Sequence, residues 1–445
     1  MKNKITIIFS FLLLCIFIAY LILIKINLLG SDSTAYINAA SAMVNNNVFS
    51  SMGDLHQPDN FRTIGYPLVI AFVMLVTENY IPLVIAMQVF LLALMFLIFT
   101  NIGALFKIEH SPILFVPFML HPELLNLATS LQTEFLYIFF LFLFFLYTLK
   151  FIQNKKDINL IFSTIFLALS LHIKPVYLFF IFIYLIFIYV FDKRFKSLFL
   201  AILTLFIVIA PWVVRNKITL DTYSFTSSKN FNLLCYAYSI VKEKDNLSDI
   251  EAVKSVDNMI IKKYDLLENE SILNLVSAQN NELINNIIPM ETKEIIYENI
   301  SYLLSAYFKG VLRGFYLPHT IYNVDRSDPV HIGSFIEKIK QKKIISILIQ
   351  NDKINYSVIF FYVFPYVLNL VVLIGLVTFS FLFVKDSKFR TYETTFLFLF
   401  VWYGIAVAFP WSNNSRYMMA YFPQMALMFI YTMNFLSKRY QERGN

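Results

Sequence analysis

Residues 30–67 read GSDSTAYINAASAMVNNNVFSSMGDLHQPDNFRTIGYP and form the first polar stretch of the chain, directly after a hydrophobic run. The stretch opens with an acid, Asp32, and closes with Arg62, which precedes the sequence TIGYP. It therefore holds a candidate base and a candidate anion-binding cation in one compact segment. Because most of the later sequence is apolar, we predict that nearly all of it forms membrane helices that support residues 30–67.

The composition excludes an ordinary soluble protein. Of the 445 residues, 58% are hydrophobic and only 15% are charged, whereas soluble domains are about 45–50% apolar. Several runs approach the ~20 apolar residues that a helix needs to cross a bilayer. We predict an all-α integral membrane protein with about ten transmembrane helices, an external first loop that carries the active site, and a small helical external insert.

The net charge of +7 would suggest a nucleic-acid partner in a soluble chain. Here most lysines and arginines cluster at the ends of apolar runs, which is the positive-inside pattern, so we predict membrane lipids and no nucleic acid as partners. Cys15 and Cys235 lie far apart in the sequence and cannot build a disulfide framework or a cysteine-based metal site.

Three segments are predicted. Residues 1–216 form a catalytic transmembrane module that includes the external loop 30–67, residues 217–355 form an external, mostly helical insert with a juxtamembrane amphipathic helix at 294–316, and residues 356–445 form the C-terminal transmembrane helices. We expect a multi-pass protein of a bacterial inner membrane, with both termini cytoplasmic and the active site external. The predicted spans are 5–24, 81–106, 112–129, 135–149, 158–191 folded in two at Lys174-Pro175, 198–213, 356–384, 394–409 and 417–436.

Four cations remain in the short outer turns, where the positive-inside rule disfavours them. They are Arg62 in FRTIGYP, Lys174 in LHIKP, Arg215 in PWVVRN and Arg416 in NNSRYMMAYFP. A phosphate group would explain them, because arginine offers a fork of donors that fits its oxygens and lysine adds a point charge. The side chain of any one of these cations could instead extend to the lipid headgroups. The presence of four cations from distant segments favours the binding of one shared anion.

Two acids are candidate catalytic groups. Asp32 lies four residues before Tyr36, which puts both on one face if a helix begins there, although Asp32 could instead cap that helix. Glu134 begins an apolar run after Thr133, and its alternative role is to interact with the helix dipole.

Tyr36, His56 and Tyr66 are candidate residues of the substrate pocket. His56 is predicted to be an exposed polar residue rather than a ligand, and His121 and His172 to be packed. No recognised metal-ligand spacing is present, so no cofactor is predicted and a divalent metal is left open.

Six pieces in order resemble the GT-C superfamily of membrane glycosyltransferases, particularly the family that contains the protein O-mannosyltransferases and the lipid A aminoarabinose transferase. They are SDSTAY, RTIGYP, LHPELLNLATSLQTEFLY, LSLHIKP, PWVVRN and SRYMMAYFP. Two features differ from that family: Asp32 is flanked by serines instead of pairing with a glutamate, and Thr63 and Ile64 replace the two prolines of an R-P-P-G-Y-P-like loop.

The resemblance implies an inverting transfer of a sugar from a polyprenyl-phosphate donor to a glycan, lipid or protein acceptor on the non-cytoplasmic face. It implies that Asp32 is the catalytic acid of the first loop, that Glu134 is the second external acid, and that the phosphate-binding cations are Arg62, Lys174, Arg215 and Arg416.

Two other functions stay open on the sequence. A transporter or flippase of a lipid-linked anion could use the same cations, although transporter sites lie near the membrane midplane and these charges gather at one face. A cell-surface polysaccharide polymerase or ligase is the other alternative, and it shares the multi-span outline and an outer basic site.

Overall fold

A computed structural model describes residues 29, 32–51, 55–108, 111–264, 272, 286–316, 349–350, 353–354, 363–407 and 418–444. The predicted span 5–24 and Arg416 lie outside these residues. The first helices are α1 (Ser33–Asn46), α2 (Gly65–Met74), α3 (Tyr80–Leu105), α4 (Ser111–Met119), α5 (Pro122–Ala128), α6 (Thr133–Asn154), α7 (Asp157–Ile173), α8 (Phe180–Asp192) and α9 (Phe195–Leu220). Then follow α10 (Ser228–Asp245), α11 (Asp249–Lys263), α12 (Ile288–Glu298), α13 (Ile300–Tyr316), β1 (Ile349–Gln350), β2 (Lys353–Ile354), α14 (Phe364–Lys385), α15 (Tyr392–Ala406) and α16 (Phe422–Gly444).

Four of the described helices, α3, α6, α9 and α14, are long and apolar enough to cross a membrane. The predicted helical membrane protein is confirmed at that level. The antiparallel pair β1–β2, with two residues in each strand, is a small exception to the all-α prediction. The total of ten spans, the orientation and the external position of the insert stay predictions.

The predicted reversal of chain direction within residues 158–191 is confirmed. Helix α7 ends at Ile173, a 3₁₀ turn covers Pro175–Tyr177, and α8 begins at Phe180. Pro175 cannot donate the hydrogen bond that would continue α7, so the chain turns back beside Lys174.

Two predicted spans were wrong in detail. Residues 112–129 are broken at His121, whose backbone is extended (ψ 122°) before Pro122, as residues preceding proline commonly are. Helix α9 continues through Pro211 to Leu220, so PWVVRN is helical and is not an outer turn. Neighbouring helices commonly let a membrane helix tolerate an internal proline.

The predicted amphipathic helix 294–316 is divided in the structure, because α12 ends at Glu298 and α13 begins at Ile300. Both helices lie within residues 217–355, the predicted insert, together with α10 and α11.

Among the described residues, the helices pack through two apolar cores. In the larger one, the rings of Phe144, Phe180 and Phe400 lie within 5.6–6.1 Å of one another. The smaller core belongs to the insert and also includes Phe61 of the first loop. The residues buried in the smaller core are Phe61, Leu234, Cys235, Ala237, Tyr238, Val256, Ile260, Ile261, Ile272 and Ile288.

Candidate functional site

The beginning of the first loop lies against the turn that leads into α6. Leu29 forms a parallel bridge with Leu131, and the Ser33 hydroxyl donates a hydrogen bond of 2.6 Å to the Leu131 carbonyl. These contacts bring Asp32 close to the first turn of α6, which carries Glu134.

The end of the first loop lies against the turn between α7 and α8. The Thr63 hydroxyl donates to the Ile173 carbonyl at 2.9 Å. Gly65 approaches the same turn so closely that a Cβ atom there would lie 2.7 Å from the His172 carbonyl oxygen. The RTIGYP and LHIKP sequences are therefore in direct backbone contact, which places Arg62 and Lys174 in the same part of the molecule.

Two ion pairs join the predicted acids to the predicted cations. Asp32 Oδ1 lies 3.0 Å from a terminal nitrogen of Arg62, and both side chains are about a quarter exposed, at 27% and 25%. Glu134 Oε1 lies 2.8 Å from Lys174 Nζ, and this pair is more buried, with 5% and 18% of the side chains exposed. The first pair joins the two ends of the first loop, and the second joins the first turn of α6 to the turn after α7.

Tyr36 lies between the two pairs. The Arg62 guanidinium is 5.2 Å from the centroid of the Tyr36 ring. Burial raises the pKa of the Tyr36 phenol and Arg62 lowers it, while the charges of Asp32, Glu134 and Lys174 also act on it. The net shift is upward, so the phenol is neutral at physiological pH and can donate a hydrogen bond.

Thr133 links Tyr36 to the second pair. Its hydroxyl lies 3.5 Å from the Tyr36 hydroxyl and donates at 3.3 Å to Oε2 of Glu134, the oxygen that Lys174 does not contact in the ion pair. Both oxygens of the Glu134 carboxylate therefore accept hydrogen bonds within the site.

Gln88 is a site residue that the sequence analysis did not single out. Its side chain is fully buried in α3, accepts a hydrogen bond from Tyr66 at 2.8 Å, and donates to the carbonyls of Ala128 and Ser130 at 3.1 and 2.9 Å. The Tyr66 ring contacts the Tyr36 ring edge-on at 5.4 Å. The signal was present in the sequence, since a polar residue inside an apolar span is costly and marks an internal contact.

Arg215 contacts the loop scaffold. Its guanidinium donates to the carbonyls of Asp59 and Phe49 at 2.7 and 3.1 Å and stacks over the rings of Phe49 and Trp212. These contacts favour a role in holding the first loop in place. A role for Arg215 in phosphate binding stays a prediction.

Asp59, a second residue missed by the sequence analysis, organises the same loop. This buried carboxylate accepts hydrogen bonds from the backbone N–H and the hydroxyl of Ser51 and from the backbone N–H of Phe61. Asp59 therefore fixes the turn just before Arg62.

The three histidines considered above, His56, His121 and His172 out of six in the sequence, have different surroundings. His56 is exposed on a turn of the first loop. His121 is buried, and its Nδ1 accepts from the Glu123 backbone, so Nε2 carries the proton that faces Asn369 at 3.3 Å. His172 Nε2 lies 3.0 Å from the Val208 carbonyl oxygen. The predictions of an exposed His56 and of packed His121 and His172 are confirmed.

Within the described part of the chain, no group of three or more His, Cys, Asp or Glu residues could hold a metal ion. Arg416 lies outside the described residues, so its role in phosphate binding stays a prediction.

No family model and no curated protein match this sequence. Among solved structures, the chain is similar to the archaeal oligosaccharyltransferase AglB from Archaeoglobus fulgidus, both in a complex with an inhibitory peptide and a dolichol-phosphate and in the apo form. In each case the identity is 11%, the TM-score is 0.44, and the similarity covers 94% of this chain and 48% of the AglB chain. The chain thus spans about half the length of these proteins, and the similarity is too weak to indicate a function.

Proposed function

We propose that this protein is an inverting glycosyltransferase of the GT-C type, which moves a sugar from a polyprenyl-phosphate donor to a glycan, lipid or protein acceptor on the non-cytoplasmic face. One observation carries the proposal. Two acid–cation pairs meet around Tyr36. Asp32–Arg62 joins the two ends of the first loop, and Glu134–Lys174 joins the first turn of α6 to the turn after α7.

The reaction needs one base and a site for a leaving phosphate. An acceptor hydroxyl attacks the anomeric carbon of the sugar while the bond from that carbon to the phosphate oxygen breaks, and the electron pair leaves with the polyprenyl phosphate. Asp32 takes the hydroxyl proton as the new glycosidic bond forms. Arg62 and Lys174 stabilise the charge that grows on the phosphate.

The difference in exposure separates the roles of the two acids. The Asp32 carboxylate is 27% exposed and an acceptor can reach it, whereas the Glu134 carboxylate is 5% exposed and is bonded on both oxygens. Asp32 is therefore the base in this proposal. Glu134 orients Lys174 toward the phosphate and balances its charge in the protein interior.

The same pairing gives an order to the reaction. A donor phosphate competes with Asp32 for Arg62, since arginine binds carboxylate and phosphate through the same donors. When the phosphate takes Arg62, Asp32 loses its partner cation, becomes a stronger base and turns to the acceptor. We therefore expect the donor to bind before the acceptor.

The test is to incubate the purified protein with sugars linked to polyprenyl monophosphate and to measure the release of free polyprenyl phosphate. Asp32→Asn should reduce release by about 10²-fold or more, the usual contribution of a general base. Asp386→Asn is the matched control, because Asp386 also pairs with an arginine, Arg439, but is not among the site residues. Full activity of Asp32→Asn would remove Asp32 as the base.

Two further assays distinguish the alternative functions, a polysaccharide polymerase or ligase and a transporter. One assay offers a diphosphate-linked donor, and the other measures transport. Turnover of only the diphosphate-linked donor would favour a polymerase or ligase. Movement of the intact lipid-linked sugar across a vesicle membrane, with no phosphate released, would favour a transporter.

A further inference from the structure

Helix α13 carries an apolar stripe on its outer side. Ile300, Leu304, Phe308 and Leu312 recur every four residues and are 58%, 52%, 64% and 56% exposed. Four-residue spacing keeps side chains on one side of a helix. Tyr297, in the last turn of α12, is 78% exposed and lies three residues before Ile300, across the break at Asn299.

A second side of α13 is held by protein. Glu243 of α10 accepts hydrogen bonds from Ser305 and Lys309, and Ala306 and Gly310 are buried. The insert therefore fixes which side of α13 faces outward, and the described residues of the insert leave the stripe exposed.

Helix α13 also touches helices of the membrane bundle. The Tyr307 hydroxyl donates to the carbonyl of Ile405 in the last turn of α15, and α13 packs on α14. The beginning of α14, one of the four candidate spans, exposes Tyr366, Leu370 and Ile374 at the same four-residue spacing. Helix α13 therefore packs against a candidate membrane span that itself exposes apolar side chains in its first half.

The dimensions of α13 fit a helix that lies on a membrane. Its 17 residues span roughly 25 Å at ~1.5 Å per residue, which is short of the ~30 Å hydrocarbon core, and one of its sides is polar. Helices with one apolar and one charged face bind in the headgroup and acyl-chain boundary.

We infer that the stripe formed by Tyr297, Ile300, Leu304, Phe308 and Leu312 is inserted into the phospholipid layer. The insertion lies beside the beginning of α14 and the last turn of α15. This contact anchors the insert to the bilayer. Because the core of the insert includes Phe61, the contact also sets the height of the neighbouring Arg62 above the lipid.

Spin labels on single cysteines test this inference in the full chain, with Cys15 and Cys235 replaced by alanine and the protein in nanodiscs of phosphatidylethanolamine and phosphatidylglycerol. Leu304→Cys is compared with Phe381→Cys, which marks an exposed apolar position within α14, and with Lys254→Cys, which marks an exposed polar position on α11. The spin label at position 304 should be severalfold more accessible to oxygen than to a water-soluble nickel complex, as is expected for the label at position 381.

Preference for the nickel complex, as at position 254, would overturn the inference, because the stripe would then face water. Protection from both reagents would also overturn it, because another protein segment would then cover the stripe. A second measurement needs no substitution: a phospholipid with a photoreactive group near the top of its acyl chain should label residues 297–312 of the wild-type protein. Neither result depends on sugar transfer, so the inference and the proposed function can fail separately.

Discussion

The ring centroids of Phe61 and Phe231 lie 6.0 Å apart, so a residue of the first loop packs into the insert. Phe61 also lies under the guanidinium of its neighbour Arg62, at 5.3 Å from the ring centroid. The insert and the candidate site therefore share one side chain, and disturbance of the insert core should reach Arg62.

Phe61→Ala tests this coupling. The substitution should destabilise the insert by about 3–5 kcal/mol, as other buried Phe→Ala changes do, and should reduce transfer at least about tenfold, because Arg62 loses the ring below it. Hydrogen exchange of α10 and α11 and the rate of phosphate release are the measurements. Ile260→Ala is the control, since it opens the same core without contact to Arg62. Equal losses of activity in both variants would show that only insert stability matters.

Glu134→Gln tests the second ion pair. Removing one partner of a buried pair leaves an uncompensated charge, which typically costs about 3–5 kcal/mol, and less here because Lys174 is 18% exposed. The double variant Glu134→Gln/Lys174→Met should recover most of the stability but no donor affinity. Thermal unfolding and binding of a polyprenyl-phosphate analogue measure the two effects. The matched control is Glu291→Gln, which breaks the 2.8 Å pair with Lys263 in the insert and should leave donor affinity unchanged.

Gly65→Ala tests the contact between RTIGYP and LHIKP. The added carbon would meet the His172 carbonyl carbon at 2.8 Å and its oxygen at 2.7 Å, so two backbones must separate. We expect a loss of about 1–3 kcal/mol from this overpacking, together with weaker donor binding. Gly314→Ala is the control, since nothing lies within 4 Å of its added carbon, and it should stabilise α13 by up to about 1 kcal/mol.

Tyr66→Phe tests whether the Gln88 contacts position the site. Both this variant and Tyr184→Phe remove the hydroxyl of a fully buried tyrosine that is hydrogen-bonded in the helix bundle. Each should cost about 0.5–1.5 kcal/mol of stability. We expect only Tyr66→Phe and Gln88→Met to lower kcat at constant expression, because only these disturb the turn before Glu134. An equal decrease of kcat in Tyr184→Phe would show that the loss of stability, and not a change in the position of the site residues, lowers kcat.

The insert should depend on pH through Asp257. Burial raises the pKa of this carboxyl, although hydrogen bonds from the Tyr238 hydroxyl and the Ile272 backbone lower it in part. A raised folded-state pKa contributes stability that is complete below the unfolded value of about 3.9 and is lost as pH rises through the folded value. Hydrogen exchange of α11, corrected for intrinsic rates, should therefore show more protection at mildly acidic pH than at neutral pH.

Tyr238→Phe extends this prediction. Without the phenol donor, the pKa of Asp257 should rise further, and the pH at which protection is lost should move upward. An unchanged pH profile in the Tyr238→Phe variant would contradict the role given to this hydrogen bond.

Much of the local structure was predictable because its causes are local. Long apolar runs predict helices α3 and α6 within one or two residues at their first positions, and Pro175 predicts the turn beside Lys174. Pro122 and Pro211 show the limit of the same rule. One breaks a predicted span and the other lies inside a continuous helix, because the surroundings of each proline decide whether the helix ends.

The sequence alone determined that this chain is a helical membrane protein and that Asp32, Glu134, Arg62 and Lys174 are candidate site residues, since apolar length and misplaced charge are properties of short segments. Only the tertiary structure decided which acid pairs with which cation, that Gln88 joins Tyr66 to the turn before α6, and that Phe61 packs in the core of the insert. These contacts join residues 22 to 170 positions apart. They depend on how the helices pack, and no local pattern specifies them.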